Sequence, residues 1–320
     1  HPYSPQKILA RNNIGIVCYP TNGGSGVRAT ELGIGLAKKA HQVHFITYRR
    51  PARLGHFHEN VFYHEVTNED YPLFEYPPYD TALASKLVDV IRYEKIEILH
   101  VHYAIPHAAV AYMAKKILLQ EGRYIPVVTT LHGTDITLVG KDSSFEPVIT
   151  FAINESDAVT AVSEDLKKET YKHFHIKKEI NVVPNFICLK DFKEPDMDLK
   201  KSFAPNGEKI VIHVSNFRKV KRVQDVVKVF SKIKDEVSSV LLLVGDGPER
   251  HHIEEMCRQS KDCDRIKFIG KMKETEKIQA IADLFLLTSE FESFGLAALE
   301  SMASKVPVIS TNKGGLPEVM

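Results

Sequence analysis

Short apolar runs alternate with stretches of helical spacing along the whole chain. Ile14–Tyr19, Val43–Thr47, Ile98–Tyr103, Pro126–Leu131, Ala158–Val162 and Asn181–Pro184 are rich in β-branched and aromatic residues and read as strands. Between them, Asp80–Glu94 sets Leu83, Leu87 and Ile91 four apart behind an Asp80 cap, the stripe of a helix lying on a sheet. Pro106–Leu119 repeats that pattern. Strands apolar on both faces, each followed by a helix, predict a doubly wound parallel sheet rather than a sandwich or a bundle.

Near Lys190 the pattern breaks into a charged stretch punctuated by Pro195, Pro205 and Gly207, which reads as a linker over residues 191–207. The alternation then resumes. Strands are predicted at Ile210–Val214, Val240–Val244, Ile266–Ile269, Leu284–Thr288 and Val306–Ser310, with helices at Val223–Lys234, Pro248–Gln259, Glu274–Ala282 and Gly295–Ala303. The fold class is therefore α/β, two Rossmann-like domains over residues 1–190 and 208–320. Ligands of such sheets sit outside the carboxyl ends of the strands, and two joined domains are expected to face each other across a cleft.

Composition narrows the function classes. With 320 residues, 43% hydrophobic and 26% charged, the chain has the proportions of two globular domains and not of a disordered or fibrous protein. Its 42 basic and 41 acidic residues leave a net charge of +1. No global field exists to hold nucleic acid or an anionic membrane, so a polyanion must be held by local cations. Runs such as Val240–Val244 fall far below the roughly 18 residues that span a bilayer, and residues 1–15 lack a signal-type segment, so a cytoplasmic protein is expected. Four scattered cysteines read as reduced thiols, mostly buried. The chain stops at Met320, where a fresh helix is opening, so the second sheet is expected to lack its last elements.

Three loops carry charge and glycine. Pro20–Gly26 precedes a helix, but it is neither G-x-G-x-x-G nor a P-loop, and a plain tight turn explains it as well as a ligand does. After Val214 come Arg218, Lys219, Lys221 and Arg222. Cations entering a helix oppose its dipole, which points to an anionic ligand over a merely solvated helix end. After Thr288, Glu292 and Glu300 stand eight residues apart, about 12 Å along a helix. That exceeds the spacing of a glycosidase carboxylate pair, and it suits two ends of an extended ligand such as a nucleotide sugar. The amides of Ser293, Phe294 and Gly295 between them can hold a phosphate or sugar hydroxyls.

These pieces, with Leu131-His132-Gly133-Thr134-Asp135, Gly245-Asp246-Gly247-Pro248 and Gly314-Gly315-Leu316-Pro317-Glu318, resemble in order and content the GT-B retaining glycosyltransferases of family four. The segments His100–His107, Thr129–Thr137 and Ser215–Asp225 are similar to the branch that moves GlcNAc from UDP-GlcNAc to L-malate in bacillithiol synthesis. The resemblance implies a hexosyltransferase with no cofactor and no metal, the UDP-sugar being a substrate. By the same resemblance Lys221, with Arg218 or Asn216, neutralises the donor diphosphate. Glu300 takes the ribose hydroxyls, and Glu292 with the Phe294–Leu296 backbone takes the hexose. Gly24, Ser25 and Gly26 close over the diphosphate, His132 contacts the transferred sugar near its 6-hydroxyl, and backbone around Ile269–Met272 holds the base. Many family members carry Arg where this chain has Asn216, so Arg218 is the expected partner of Lys221. Malate falls to Ser25, Tyr103, Thr130 and Arg28, and a homodimer is expected by analogy. The resembled enzymes also run longer and end in helices that cross back to the first domain.

Competing readings remain at this point. Asp196-Met197-Asp198 and Asp262-Cys263-Asp264 each read D-x-D, a Mn²⁺-diphosphate pattern, but both lie in charged, strand-poor stretches and are expected to be solvated loops. His100, His102 and His107 have no carboxylate or cysteine close by and are expected to be packed or cleft-lining rather than zinc ligands. Beside transfer to L-malate stand another family 4 UDP-sugar transferase with a different acceptor, a nucleotide-sugar epimerase, and a non-catalytic nucleotide-sugar binder.

Overall fold

Every apolar run named above becomes a parallel strand. The computed structural model describes residues 10–21, 24–67, 75–138, 142–260 and 263–320. It divides into two compact units, residues 1–162 with 166–183 and residues 163–165 with 184–320.

In the first unit the strands are β1 (Asn13–Val17), β2 (Gln42–Thr47), β3 (Val61–Glu65), β4 (Ile98–His102), β5 (Val127–Leu131), β6 (Ala158–Ala161) and β7 (Ile180–Val182). They form one sheet in the order β3-β2-β1-β4-β5-β6-β7, parallel throughout. The helices are α1 (Ser25–Lys38), α2 (Tyr79–Tyr93), α3 (Ala109–Gln120), α4 (Glu146–Asn154) and α5 (Glu164–His173). Leu83, Leu87 and Ile91 of α2 are wholly buried in one core with Val17, Leu99 and Val101. Each such side chain contributes about 1.5–3 kcal/mol of burial. Asp80, expected as the cap, lies in the first turn of α2 instead, where its charge still suits the helix dipole. β3 escapes the apolar pattern because it is an edge strand reading Val-Phe-Tyr-His-Glu, with none of its residues fully buried.

The second unit holds α6 (Met197–Phe203), β8 (Lys209–Val214), α7 (Val223–Ile233), β9 (Ser239–Val244), α8 (Arg250–Ser260), β10 (Ile266–Gly270), α9 (Glu276–Ala280), β11 (Leu284–Leu287), α10 (Leu296–Ala303), β12 (Val308–Ser310) and α11 (Leu316–Val319). Its sheet runs β10-β9-β8-β11-β12, again parallel. The stretch 191–207, expected as a linker, belongs to this unit, whose main segment begins at Pro184. Asp196 caps α6 by accepting from the amides of Asp198 and Leu199 at 3.0 and 3.1 Å. Leu199, Phe203 and Ala204 then pack on the core of the unit, and Lys200 pairs with Asp283 at 3.0 Å. Three apolar side chains among many charges are too thin a stripe to read from sequence, yet they suffice to dock one short helix. The capping role also accounts for the first D-x-D. Asp262 of the second lies outside the described residues.

Cys18 and Cys257 are buried, and burial pushes the Cys18 thiol up to about 12, whereas Cys188 and Cys263 are exposed. Among the described residues no helix is long and apolar enough to cross a membrane.

Candidate active site

Strand order reverses between β1 and β4 in the first unit and between β8 and β11 in the second. At such a switch point neighbouring loops leave in opposite directions and open a crevice at the carboxyl ends of the strands. Most of the predicted site residues collect at these two points.

In the second unit the loop after β8 is anchored by Phe217, which is fully buried. Its amide donates to the Asp246 carbonyl at 3.0 Å and its carbonyl accepts from Glu249 at 2.9 Å. One tight turn, Lys219–Lys221, follows and ends at Arg222 with φ +49°. The loop after β11 grips that turn: the Glu290 amide donates to the Val220 carbonyl at 2.8 Å, and the Thr288 hydroxyl to that of Arg222 at 2.9 Å. Lys221 Nζ thereby comes to 2.5 Å from Glu292 Oε1, which also accepts from the Ser289 hydroxyl at 2.7 Å. The two charged side chains are only 20% and 14% exposed.

The cation cluster is partly neutralised within the chain. Glu292 answers Lys221, and Asp225 pairs with Arg222 at 2.6 Å. Mutual repulsion therefore no longer argues by itself for a bound anion. Arg218 and Asn216 are exposed on the same loop.

Residues 292–295 are not helical. Gly295, at φ +94°, is the cap residue and α10 opens only at Leu296. The 12 Å rise expected between Glu292 and Glu300 assumed a continuous helix and does not apply, and with it goes the spacing argument against paired acids. Ser293, Phe294 and Gly295 lie in the bend before the helix, Phe294 turned inward at 8% exposure, and Glu300 is half-buried on α10. The bend is held from beneath by Gly314 and Gly315. A β-carbon on Gly314 would lie 2.1 Å from the Glu292 carbonyl oxygen, and the Gly315 amide donates to that same oxygen at 2.7 Å. The stretch expected to hold the base lies at the carboxyl end of β10, where the Gly270 carbonyl accepts from Gly245 at 2.9 Å.

In the first unit Gly24 precedes α1, Ser25 and Gly26 begin it, and the Ser25 and Tyr103 hydroxyls share a short hydrogen bond. Asn22 and Gly23 of the same loop lie outside the described residues. Tyr103 has φ +80°, a strained conformation for a residue with a side chain, and its amide donates to the Thr130 carbonyl at 2.9 Å. Its ring stands 5.2 Å from His132 and 5.3 Å from Tyr19. His132 Nε2 lies 2.8 Å from His102 Nδ1. Asp135 is buried and fastens the end of β4 to that of β5: Oδ2 accepts from the Ala104 amide at 2.7 Å and Oδ1 from Gly133 at 3.3 Å. Burial lifts this carboxyl to about 6 against the pull of those amides.

Two expected acceptor ligands are committed elsewhere. The Thr130 hydroxyl lies 2.7 Å from both His100 Nε2 and the Thr160 hydroxyl, so it is spent inside the sheet. Arg28 is 6% exposed and paired with Glu31 at 2.8 Å, and Glu31 also meets Arg53 at 3.3 Å. Neither supplies an open group. The sequence reading missed Ser289, Tyr19 and the fastening role of Asp135. Asp135 stands inside a segment already singled out, whereas Ser289 and Tyr19 carry no signal until the strands are ordered.

The histidines are packed and neutral. His107 Nδ1 donates to the His102 carbonyl at 2.7 Å, and His100, His102 and His132 form a stack. Burial lowers His100 and His107 to about 4 and His132 to about 3, and takes His102 well below its ordinary value. His213, between the Leu286 carbonyl and the Ser215 hydroxyl, is likewise lowered to about 4 by burial. An unfolded histidine titrates near 6.5. Each ring thus contributes stability that is present above about pH 6.5 and lost as the pH falls through its folded value. Asp135 runs the other way: its contribution is present below 3.8 and lost as the pH rises through about 6. Five rings outweigh one carboxyl. Unfolding at pH 6 should therefore take up protons, read from how the calorimetric enthalpy varies with buffer ionisation heat, and net release would contradict a neutral stack.

Residues 22–191 match the Glycosyltransferase Family 4 domain, and residues 196–320 match Glycosyl transferases group 1. The chain is 52% identical over 309 residues to N-acetyl-alpha-D-glucosaminyl L-malate synthase of Bacillus anthracis, covering 96% of this chain and 80% of that protein. Among solved structures it is similar to sucrose-phosphate synthase from Thermosynechococcus elongatus, with TM-score 0.77 and 21% identity over 96% of this chain and 82% of that one. HepE of Anabaena, solved with UDP-glucose, gives TM-score 0.78 and 19% identity over 96% and 82%. At such identities these structures speak for the fold.

Proposed function

The chain belongs to glycosyltransferase family 4, with its GT-B fold, and from that premise we propose that it moves GlcNAc from UDP-GlcNAc to the hydroxyl of L-malate with retention of the α configuration. The observation that carries this reading is the 52% identity, over 96% of the chain, to a protein named for that product.

The bond from the sugar C1 to the phosphate oxygen breaks as the bond from C1 to the malate oxygen forms. The malate proton passes to the leaving phosphate, so no protein nucleophile is needed. Negative charge grows on the diphosphate, and preorganised cations and amides lower the barrier most where charge develops. Lys221 meets that need by exchanging its contact with Glu292 for the diphosphate, aided by the exposed Arg218 and Asn216. Glu292, released, accepts from hexose hydroxyls beside the 293–296 bend, and Glu300 takes the ribose. In the first unit neutral His132 offers a hydrogen bond to the sugar. With Arg28 and Thr130 committed elsewhere, the malate falls to Ser25, Tyr103 and the opening amides of α1. Among the described residues that helix carries no acidic residue in its first turn and no side-chain cap, an arrangement that suits a carboxylate. The diphosphate charge is met here by side chains and amides, so the reaction is proposed to need neither metal nor cofactor.

The test incubates the purified protein with UDP-GlcNAc and a panel of hydroxy acids in EDTA and measures UDP release and product by mass spectrometry. Release with L-malate alone is expected. Release with a different acid would replace the acceptor, release with none would favour a nucleotide-sugar binder, and a requirement for added metal would overturn the metal-free chemistry.

A further inference from the structure

We propose that His44, His64 and Glu94 form a transition-metal site, suited to Zn²⁺, that pins the outer edge of the first sheet. β2 and β3 run parallel with His44 opposite Phe62 and Ile46 opposite His64, so both histidines project from one face of the pleat. Glu94 directly follows the last residue of α2, and its carboxylate arrives at the same spot. The three ligand atoms all lie within 4.8 Å of one another, with His44 Nδ1 2.9 Å from His64 Nε2.

Two imidazole nitrogens on a tetrahedral zinc ion, bound at about 2.0–2.1 Å, stand about 3.4 Å apart. The observed pair is within about half an ångström of that, a small rotation for the half-buried His64 ring. As it stands, one proton must lie between the two nitrogens, because two facing lone pairs repel. A metal ion takes the place of that proton and leaves each ring its N–H on the far nitrogen, so binding to the neutral pair needs no net loss of protons. Among the described residues His44 Nε2 is buried without a hydrogen-bond partner, the ring stacks on Phe62 at 4.6 Å, and His64 is the hydrogen-bond partner of its other nitrogen. Burial lowers His44 to about 4 and also lowers His64, so both rings are neutral at neutral pH. Glu94 opposes both shifts, and Lys86 is the nearby cation that adds to that of His64. Two neutral nitrogens and one carboxylate, with room for water as a fourth ligand, suit zinc better than a hard ion such as Mg²⁺.

The place in the fold argues for a structural role. Glu94 precedes β4, at the amino ends of the strands, whereas Ser25, Tyr103 and His132 follow the carboxyl ends of β1, β4 and β5. β3 is the edge strand, held on one side only, and the ion would fasten it to β2 and to the end of α2.

Co²⁺, whose visible band reports coordination, is the probe, added to the full chain freed of metal. One equivalent is expected to give an intense d–d band that Zn²⁺ bleaches, and Zn²⁺ is expected to raise the unfolding temperature. The chain has 15 histidines, so the variants decide the location. His64→Ala, on a half-buried edge position, should abolish both signals while far-UV circular dichroism stays native. Glu94→Gln, at an exposed position, should weaken Co²⁺ by at least about tenfold. Absence of a one-equivalent band in the unaltered chain, or its survival in His64→Ala, would overturn the site.

Discussion

Lys221→Ala is expected to weaken UDP binding roughly thirtyfold, corresponding to about 2 kcal/mol of lost charge-assisted interaction. Transfer to L-malate should fall further, about 10²-fold in all, because the missing cation counts for most when the bond to the diphosphate is breaking. The geometry behind this is the 2.5 Å contact of Lys221 with Glu292, held by a loop bonded to the one after β11. Removing the lysine leaves Glu292 with Ser289 and partial access to water, so the fold should survive and the unfolding temperature should change little. Calorimetric titration with UDP and steady-state turnover separate the two effects. Unchanged UDP affinity would remove Lys221 from the donor site. Lys221→Arg should recover part of the affinity but not the full turnover, since a planar guanidinium does not reproduce a point charge in the same cradle.

Gly245→Ala is expected to damage stability itself. A β-carbon at this position would lie 1.7 Å from the Ser215 carbonyl oxygen and 2.9 Å from its carbon, and the backbone sits at φ +129°. Both obstacles are main chain, so no side chain can rotate to relieve them. The strain and the forced shift together should cost about 3 kcal/mol or more, lowering the unfolding temperature by roughly 10 °C. Because Ser215 opens the loop that carries Lys221, whatever folds should also bind UDP more weakly. Gly35→Ala is the control: a β-carbon there meets nothing within 4 Å, on the exposed side of α1, and should be neutral or slightly stabilising. Equal unfolding temperatures for the two variants would refute the steric argument.

Legibility of the fold from sequence followed the strength of each hydrophobic signal. Parallel central strands such as β9 are buried at every position and stand out as unbroken apolar runs. The edge strand β3 is half solvated and was invisible, and α6, docked by three apolar side chains among charges, read as a linker. Element ends were legible to within a few residues, the helix expected from Gly295 opening at Leu296; the separation of Glu292 and Glu300 was not, because residues 292–295 form a bend rather than a helical turn. Gly295 there adopts a left-handed conformation that helical spacing cannot reveal.

For the site, loop position and residue type single out Lys221 and Glu292 as candidates, and the family resemblance adds Glu300, Ser25, Tyr103, His132, Arg28 and Thr130 as expected ligands. Which of these candidates present an open group depends on packing that residue type alone does not show. Arg28 and Thr130 are equally polar in sequence, yet one faces Glu31 and the other lies between His100 and Thr160. The same step paired Lys221 with Glu292 across 71 residues and set Gly314 beneath the Glu292 bend. The physical reason is that residue type and period fix which face of an element is buried, a local property. Whether a buried polar group is already satisfied depends on neighbours that arrive from distant strands, and the order of those strands is settled only when the sheet closes its packing.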